Sequence, residues 1–433
     1  MKKIFIISLL FFIFLVPIAI FVKINDYKFY TYYFTYKLKL FDKFIENKNK
    51  KTIQTLKSGK IIFEDKEYNY LKFPLKKYGV KYLDDYIHRP LGYFDVYNNR
   101  IIFASYDGTL FYSNKISEIK NGNLFLTKFK VSNYNFNFDP DDQDYFRNIK
   151  IRDILIDNDE LFVVSHGRSK LDDDNYYSEP VILKGKINID NSSIYLDNFF
   201  TFKQKIFNTT DWSHSGGRLV KYKNSSFLLS VSDYALMDQL KEFEKMLNSK
   251  QTIVGKIFLI KNNKSKIFSM GHRNPQGLYY DKENDLVFET EHGPTGGDEI
   301  NLIKKDNHYG WPKATYGAFI KDLNIYRKHK KYGYTEPLKY WWPSNCAVSE
   351  IVKINSDFNK NWKKYTLINA CLSGKYNQGL SLYRWEFDIK KEKLIKKGKY
   401  HIGDRIRDIK YAAKQKTIIM LLEDQKSLVL IFE

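Results

Sequence analysis

The sequence predicts an all-β fold, a six-bladed β-propeller preceded by an N-terminal membrane anchor or signal helix. The propeller rests on two observations. First, one hairpin unit recurs six times: LGYFDVYNNRIIFASYDG, RDILIDNDELFVVSHGR, GRLVKYKNSSFLLSVSD, QGLYYDKENDLVFETEHG, SEIVKINSDFNKNWKKYTLINACLSG and RDIKYAAKQKTIIMLLED. Its second strands centre on Phe103, Val163, Leu229, Phe288, Ile368 and Met420, a spacing of roughly sixty residues with one longer gap. Second, each interval has room for two further strands, such as 110–113 and 180–187. Repeats of four short antiparallel strands are the mark of a propeller, whereas a β-sandwich would not explain the same hairpin six times over.

In chain order, Lys2 and Lys3 precede an uncharged run from Ile4 to Val22. A helix of that length reaches about 29 Å, close to the hydrocarbon thickness of a bilayer. No small-x-small cleavage pattern follows. Residues 1–25 are therefore expected to be an uncleaved signal anchor that engages the membrane through 4–22 and places the rest at the periplasmic or extracytoplasmic face. Pro17 favours the alternative, a cleaved signal peptide and a secreted protein. Residues 26–85 are expected to form a neck and cap, with an amphipathic helix over 27–47 and a strand over 60–64. The propeller is expected over 86–433, with the strand 427–432 last in the sixth blade.

Composition narrows the function classes. Aromatic residues make up 17% of the chain and Pro is scarce, so a large core is available. The formal charge of +21 comes mostly from Lys spread among Asn, Ile, Tyr and Phe, without an Arg-rich arm or a nucleic-acid motif. No nucleic-acid partner is expected, although a basic surface attracts anionic lipid or an acidic protein. Cys346 and Cys371 are neither a disulfide framework nor a zinc pattern. They read as two small buried residues, or as a single bridge in an oxidising compartment.

The repeat also aligns residues far apart in sequence. Positions before the first strand and after the second lie at one end of each hairpin, and so gather at one mouth of the ring. On one side stand His214 in SHSGGRL, Arg273, Asn274 and Gln276, Ser349, Arg405 and Arg407. On the other stand Asp107, His166, Asp233, His292 with Gly293 and Pro294, and Ser373. Such a ring of His, Arg, Asp and bare backbone suits a polar ligand. Asp107 and His166 read as loop residues. An imidazole titrates near neutrality and suits His214 to be a general base. Asp233 either orients that ring or closes the strand as a turn residue. Arg405 and Arg407 are two apart and share a face, so they repel unless an anion lies between them. The apolar neighbours Ile402, Ile406 and Ile409 weigh against a pair of surface charges. Gly293 and Pro294 offer backbone carbonyls. Taken alone, Asp298 and Glu299 read as hydrated side chains ahead of the strand that follows.

Residues 269–312 carry a longer pattern, GHRNPQGL, then EHGPTGGDEINLI, then NHYGWP. It resembles the soluble glucose/sorbosone dehydrogenases, aldose dehydrogenases that depend on pyrroloquinoline quinone (PQQ). The resemblance is strongest there and continues more weakly from about Leu91 to the C-terminus. It implies a six-bladed propeller that oxidises an aldose sugar at its anomeric carbon, passes hydride to PQQ, and hands the electrons to an acceptor. It makes His214 the base with Asp233 beside it. It places Arg273, Asn274, Gln276, His292, Arg405 and Arg407 around the quinone. It gives Gly293 and Pro294 to a calcium ion (Ca²⁺) and Asp298 and Glu299 to a second. Two departures stand out. Where the family reads Gly-Ser-Leu-Lys-Gly, residues 370–374 read Ala-Cys-Leu-Ser-Gly, which puts Ser373 in place of a lysine; Lys375 lies two residues on. Ser105 and Tyr106 replace an acidic-basic pair. These leave a non-catalytic sugar- or protein-binding propeller as the alternative, and a calcium-dependent hydrolase as a third reading.

Overall fold

Six antiparallel sheets stand side by side around a common axis in the computed structural model, which describes residues 59–64, 66–80, 91–133, 151–170, 176–204, 206–207, 214–236, 243–317, 328–342, 344–362, 364–374 and 378–433. The predicted anchor and the helix over 27–47 lie outside the described residues. Among the described residues no helix is long and apolar enough to cross a membrane.

Blades 1 to 5 begin at Gly92–Tyr97, Ile151–Asp157, Gly216–Tyr222, Pro275–Asp281 and Val348–Ile354, and each runs outward through three further strands. Blade 2 carries one extra short strand at its rim. The sixth begins at Ile406–Ala412 and continues through Thr417–Leu422 and Ser427–Phe432. The first strands touch in the order 1 to 6 and back to 1, which closes the ring.

The six hairpins fall where the repeat puts them. Several turns carry paired left-handed residues, Asn98–Asn99, Asn224–Ser225 and Asn262–Asn263, as tight two-residue hairpins demand. The core is six apolar clusters, each between two neighbouring sheets. The alternation of strand side chains explains this. In Thr417–Leu422, Ile418, Met420 and Leu422 pack toward blade 5, while Ile419 and Leu421 pack toward blade 1.

Blade 6 corrects two expectations. Ser427–Phe432 is not its last strand, because Lys66–Pro74 pairs with it from Asn69↔Phe432 to Pro74↔Ser427, and Lys60–Phe63 lies outside that. Part of the segment expected as neck and cap thus belongs to the ring, and the propeller starts before residue 86. The cause is the open edge of Ser427–Phe432, whose unpaired backbone groups need a partner.

On the axis, one side chain crosses each junction to a neighbouring backbone. Asp95 accepts from Ile156 N–H (2.8 Å), Asp153 from Leu219 N–H (2.9 Å), Glu350 from Leu278 N–H (3.1 Å) and Asp408 from Phe94 N–H (3.2 Å). Arg218 donates to the Gln276 carbonyl and Ser349 to that of Ile406, each at 2.5 Å. All six junctions are tied in this way, so the first strands hold their register where the mouth opens.

Candidate active site

The mouth is shaped by slips in strand pairing. The first strand of each blade from 2 to 6 loses register with the second near the mouth: between Ile151 and Asp153, Gly216 and Leu219, Pro275 and Gly277, Val348 and Ile351, and Ile406 and Asp408. An extra residue kinks an antiparallel strand and re-aims its side chains. Arg152, Gln276 and Arg407, each inside such a slip, line a cavity of about 300 Å³. That volume is at the lower end of small-molecule sites, ~300–1,000 Å³.

The same cavity gathers His214, Arg273, Asn274, His292, Gly293, Pro294, Asp298, Ser373 and Arg405. The predicted constellation converges in part: Asp233 and Glu299 stand behind the lining, and Ser349, Asp107 and His166 do not line the cavity. Asp233 is buried, with Oδ1 3.8 Å from His214 Nδ1. That is too long for a hydrogen bond. Trp311 Nε1 (3.0 Å) and the Ala235 N–H (3.0 Å) donate to the carboxylate and fix it. Asp233 thus closes its turn and stands behind the imidazole at once. Ser232 Oγ holds the His214 carbonyl.

Arg273 donates through Nη1 to the carbonyls of His292 (3.1 Å) and Gly293 (2.8 Å), and its guanidinium lies 5.5 Å from the Trp311 ring centre. One oxygen expected to bind calcium is therefore already held by a cationic donor. His292 bonds through Nε2 to the Val348 carbonyl (2.8 Å). Burial first, then the charges of His214, Arg273 and Arg407, push its pKa down to about 3, so the ring is neutral and donates that bond. Gln276 donates to Asn274 Oδ1 (2.9 Å) and accepts from Arg407 (3.3 Å).

Arg405 and Arg407 do share an anion, but the chain supplies it. Glu423, at the end of the second strand of blade 6, takes Arg405 Nε at 3.0 Å and Arg407 Nε and Nη2 at 2.6 and 3.2 Å. The two arginines therefore do not require an outside anion to coexist. Asp298 and Glu299 have separate surroundings. Asp298 accepts the N–H groups of Gly293 (3.1 Å), Cys346 (2.7 Å) and Ala347 (2.6 Å), and burial pushes its pKa up to about 6. Glu299 lies with Glu289 and Glu291 around Asn301 Nδ2, at 3.4, 3.1 and 3.1 Å. Burial and then Glu291 raise both Glu289 and Glu299 well above the carboxylate range.

Cys346 and Cys371 form a disulfide with Cα atoms 5.3 Å apart. It anchors the turn whose N–H groups bind Asp298, and Asp298 in turn holds Gly293. Asp107 accepts from Ser105 Oγ (2.5 Å) and the Thr109 N–H (3.0 Å), as a turn residue does. His166 is buried beside the Tyr234 hydroxyl (2.9 Å from Nδ1). Lys375 lies outside the described residues. Sequence reasoning missed Arg152, Tyr93 and Glu423. The signal for Arg152 was present, because Ile-Arg-Asp-Ile occurs at both 151–154 and 406–409.

The family described as "Glucose / Sorbosone dehydrogenase" matches residues 173–431. The chain belongs to that family. An aldose sugar dehydrogenase of Escherichia coli, YliI, is 29% identical over 195 residues, 43% of this chain and 52% of that protein. An uncharacterized protein of Synechocystis is 32% identical over 146 residues, 34% of each chain. The matched segments thus span about a third to a half of these curated relatives. Among solved structures, the soluble aldose sugar dehydrogenase of E. coli in its apo form covers 84% of this chain and 99% of its own, with a TM-score of 0.60 and 20% identity. The PQQ-bound aldose sugar dehydrogenase of Streptomyces coelicolor covers 84% and 98%, with a TM-score of 0.54 and 15% identity. At these identities the structural likeness speaks for the fold alone.

Proposed function

We propose that this family member is an oxidoreductase that oxidises an aldose at its anomeric carbon with PQQ as hydride acceptor. The observation that carries the reading is the mouth itself: a general-base histidine backed by a carboxylate, facing a cavity rich in guanidinium groups. PQQ bears three carboxylates, and guanidinium groups recognise carboxylates. Arg152, Arg273, Arg405 and Arg407 line one cavity, so the residues present fit such a group. When bound, PQQ supplies an electrophilic carbonyl that accepts hydride.

The chain's own residues do the rest. His214 Nδ1 faces Asp233, which leaves Nε2 to take the proton of the anomeric hydroxyl as hydride departs. The Asp233 carboxylate, fixed by Trp311 and Ala235, stabilises the imidazolium that results. Arg273, held on the carbonyls of His292 and Gly293, places positive charge where negative charge grows. Neutral His292 keeps its side of the mouth from adding a further cation. Calcium is part of the proposal through Gly293 and Pro294. The Gly293 carbonyl that would hold it also accepts from Arg273 Nη1.

We place this chemistry outside the cytoplasm, with the chain tethered through 4–22. The Cys346–Cys371 bridge supports that placement, since such bonds persist in oxidising compartments. A second reading, a sugar-binding propeller without quinone, is favoured by Ser373 in place of the family lysine. One experiment separates them. Purified protein mixed with PQQ and Ca²⁺ should shift the quinone absorbance, and added aldose should then bleach it. Sugar binding with no response to PQQ would establish the second reading.

A further inference from the structure

The Ile-Arg-Asp-Ile repeat builds the same unit in blades 2 and 6. In both, the pairing slips across the arginine, between Ile151 and Asp153 and between Ile406 and Asp408. In both, the arginine turns to the cavity while the aspartate turns to the axis. Asp153 and Asp408 lie 3.1 and 3.4 Å from the same Arg218 Nη1. Arg407 is gripped by Glu423. Arg152 lies near the buried pair His166 and Tyr234. Burial first, and then the Arg152 charge, hold the His166 pKa well below the ordinary histidine value, so that ring is neutral. Space for Arg152 is built in. Gly217 packs against it in a left-handed conformation (φ +100°), and a Cβ there would lie 2.5 Å from the Arg152 Cβ. The side chain is only 5% exposed, so its charge acts with little screening by water.

We propose that Arg152 is an anion-binding residue of the mouth, one that receives a carboxylate of the bound ligand. The assignment rests on the PQQ reading above. In that reading Arg152 restores, from blade 2, the positive charge missing at Ser373. A guanidinium in a dry, shaped position binds a carboxylate more tightly than a surface lysine does.

The test is a binding titration with two probes, PQQ followed by its absorbance and benzene-1,2,4-tricarboxylate followed by calorimetry. The proteins are wild type, Arg152→Gln and Arg152→Lys, with thermal unfolding recorded for each to show that the ring is intact. The wild type should bind PQQ. Arg152→Gln should bind it at least about tenfold more weakly, the worth of one charge-assisted hydrogen bond, and Arg152→Lys should fall between. Equal PQQ binding by wild type and Arg152→Gln would overturn the assignment and leave the quinone reading intact. If the wild type binds the tricarboxylate but not PQQ, the quinone reading fails. Arg152 then stands or falls by whether Arg152→Gln weakens the tricarboxylate. Binding of neither probe by the wild type would overturn both.

Discussion

Two groups of buried charge lie end to end in this propeller, and they are unbalanced in opposite directions. On the axis, Asp153, Glu350 and Asp408 share the cations Arg218 and Lys410, an excess of acid. At the mouth, four arginines line one cavity. Among the described residues, Glu423 holds two of these arginines, and Asp298 accepts backbone N–H groups. The axis can relieve its excess by itself. Burial, helped by Asp408 and Asp153, pushes the Glu350 pKa up to about 7, so a proton fills the gap. Guanidinium groups do not give up their protons, so the mouth keeps its positive charge and suits an anion. The same chemistry is structural in one place and receptive in the other.

The contrast breaks most visibly at Arg218. Replacing it with Met leaves buried acids without their shared cation, and should cost about 3–5 kcal/mol in urea unfolding. A loss under about 1 kcal/mol would show that the axis is not held by charge. At the mouth, His214→Gln should leave stability and PQQ binding unchanged while slowing sugar-dependent bleaching at least about a hundredfold. An unchanged single-turnover rate removes His214 from the chemistry. A smaller effect is expected for Ser373→Lys, which raises the positive excess and should tighten PQQ binding about tenfold. Neutral or weaker binding would mean that the pocket has been reshaped for another ligand.

An effect of similar size is one of pH, at most about 1.4 kcal/mol per pH unit for one proton. It should have opposite signs in the two regions. The folded pKa of Glu350 is raised, so its contribution is complete below about 4.5 and lost as pH rises to about 7. That of His292 is depressed to about 3, so its contribution is complete above about 6.5 and lost as pH falls. From pH 5 to 6.5 the stability of wild type relative to Glu350→Gln should decline, and relative to His292→Gln should rise. Urea unfolding of the three proteins at both pH values checks the signs, and parallel trends would refute them.

How far the sequence reached can be read from particular residues. The six hairpins were legible because a strand period and a turn recur locally. The mouth residues were legible because they flank those hairpins: His214, Arg273 and His292 meet as expected. Lys66–Pro74 was not, since a strand's partner across the whole chain leaves no local mark. Glu423 sits after a second strand like the other mouth residues, yet its contact with Arg405 and Arg407 depends on a bulge that periodicity does not show. Asp298 looks like a metal ligand in sequence, but its three partners are backbone N–H groups, invisible in any side-chain pattern. The Cys346–Cys371 bridge turned on a distance that only the fold supplies.

The split composition of blade 6 also has a meaning in time. Its fourth strand is among the earliest propeller residues to be made, and its partner is the final strand, completed roughly 350 residues later. At ~5–20 residues per second of synthesis, that wait lasts roughly 20–70 s. Through that interval Lys66–Pro74 has only the short neighbour Lys60–Phe63 on one side, and the edge meant for Ser427–Phe432 is open to any other edge it meets. A chain lacking Ser427–Phe432 keeps five complete blades and loses the strand that joins Lys66–Pro74 to the sixth. Ser427–Phe432 therefore decides whether the other sheets become a closed protein or an aggregation-prone arc.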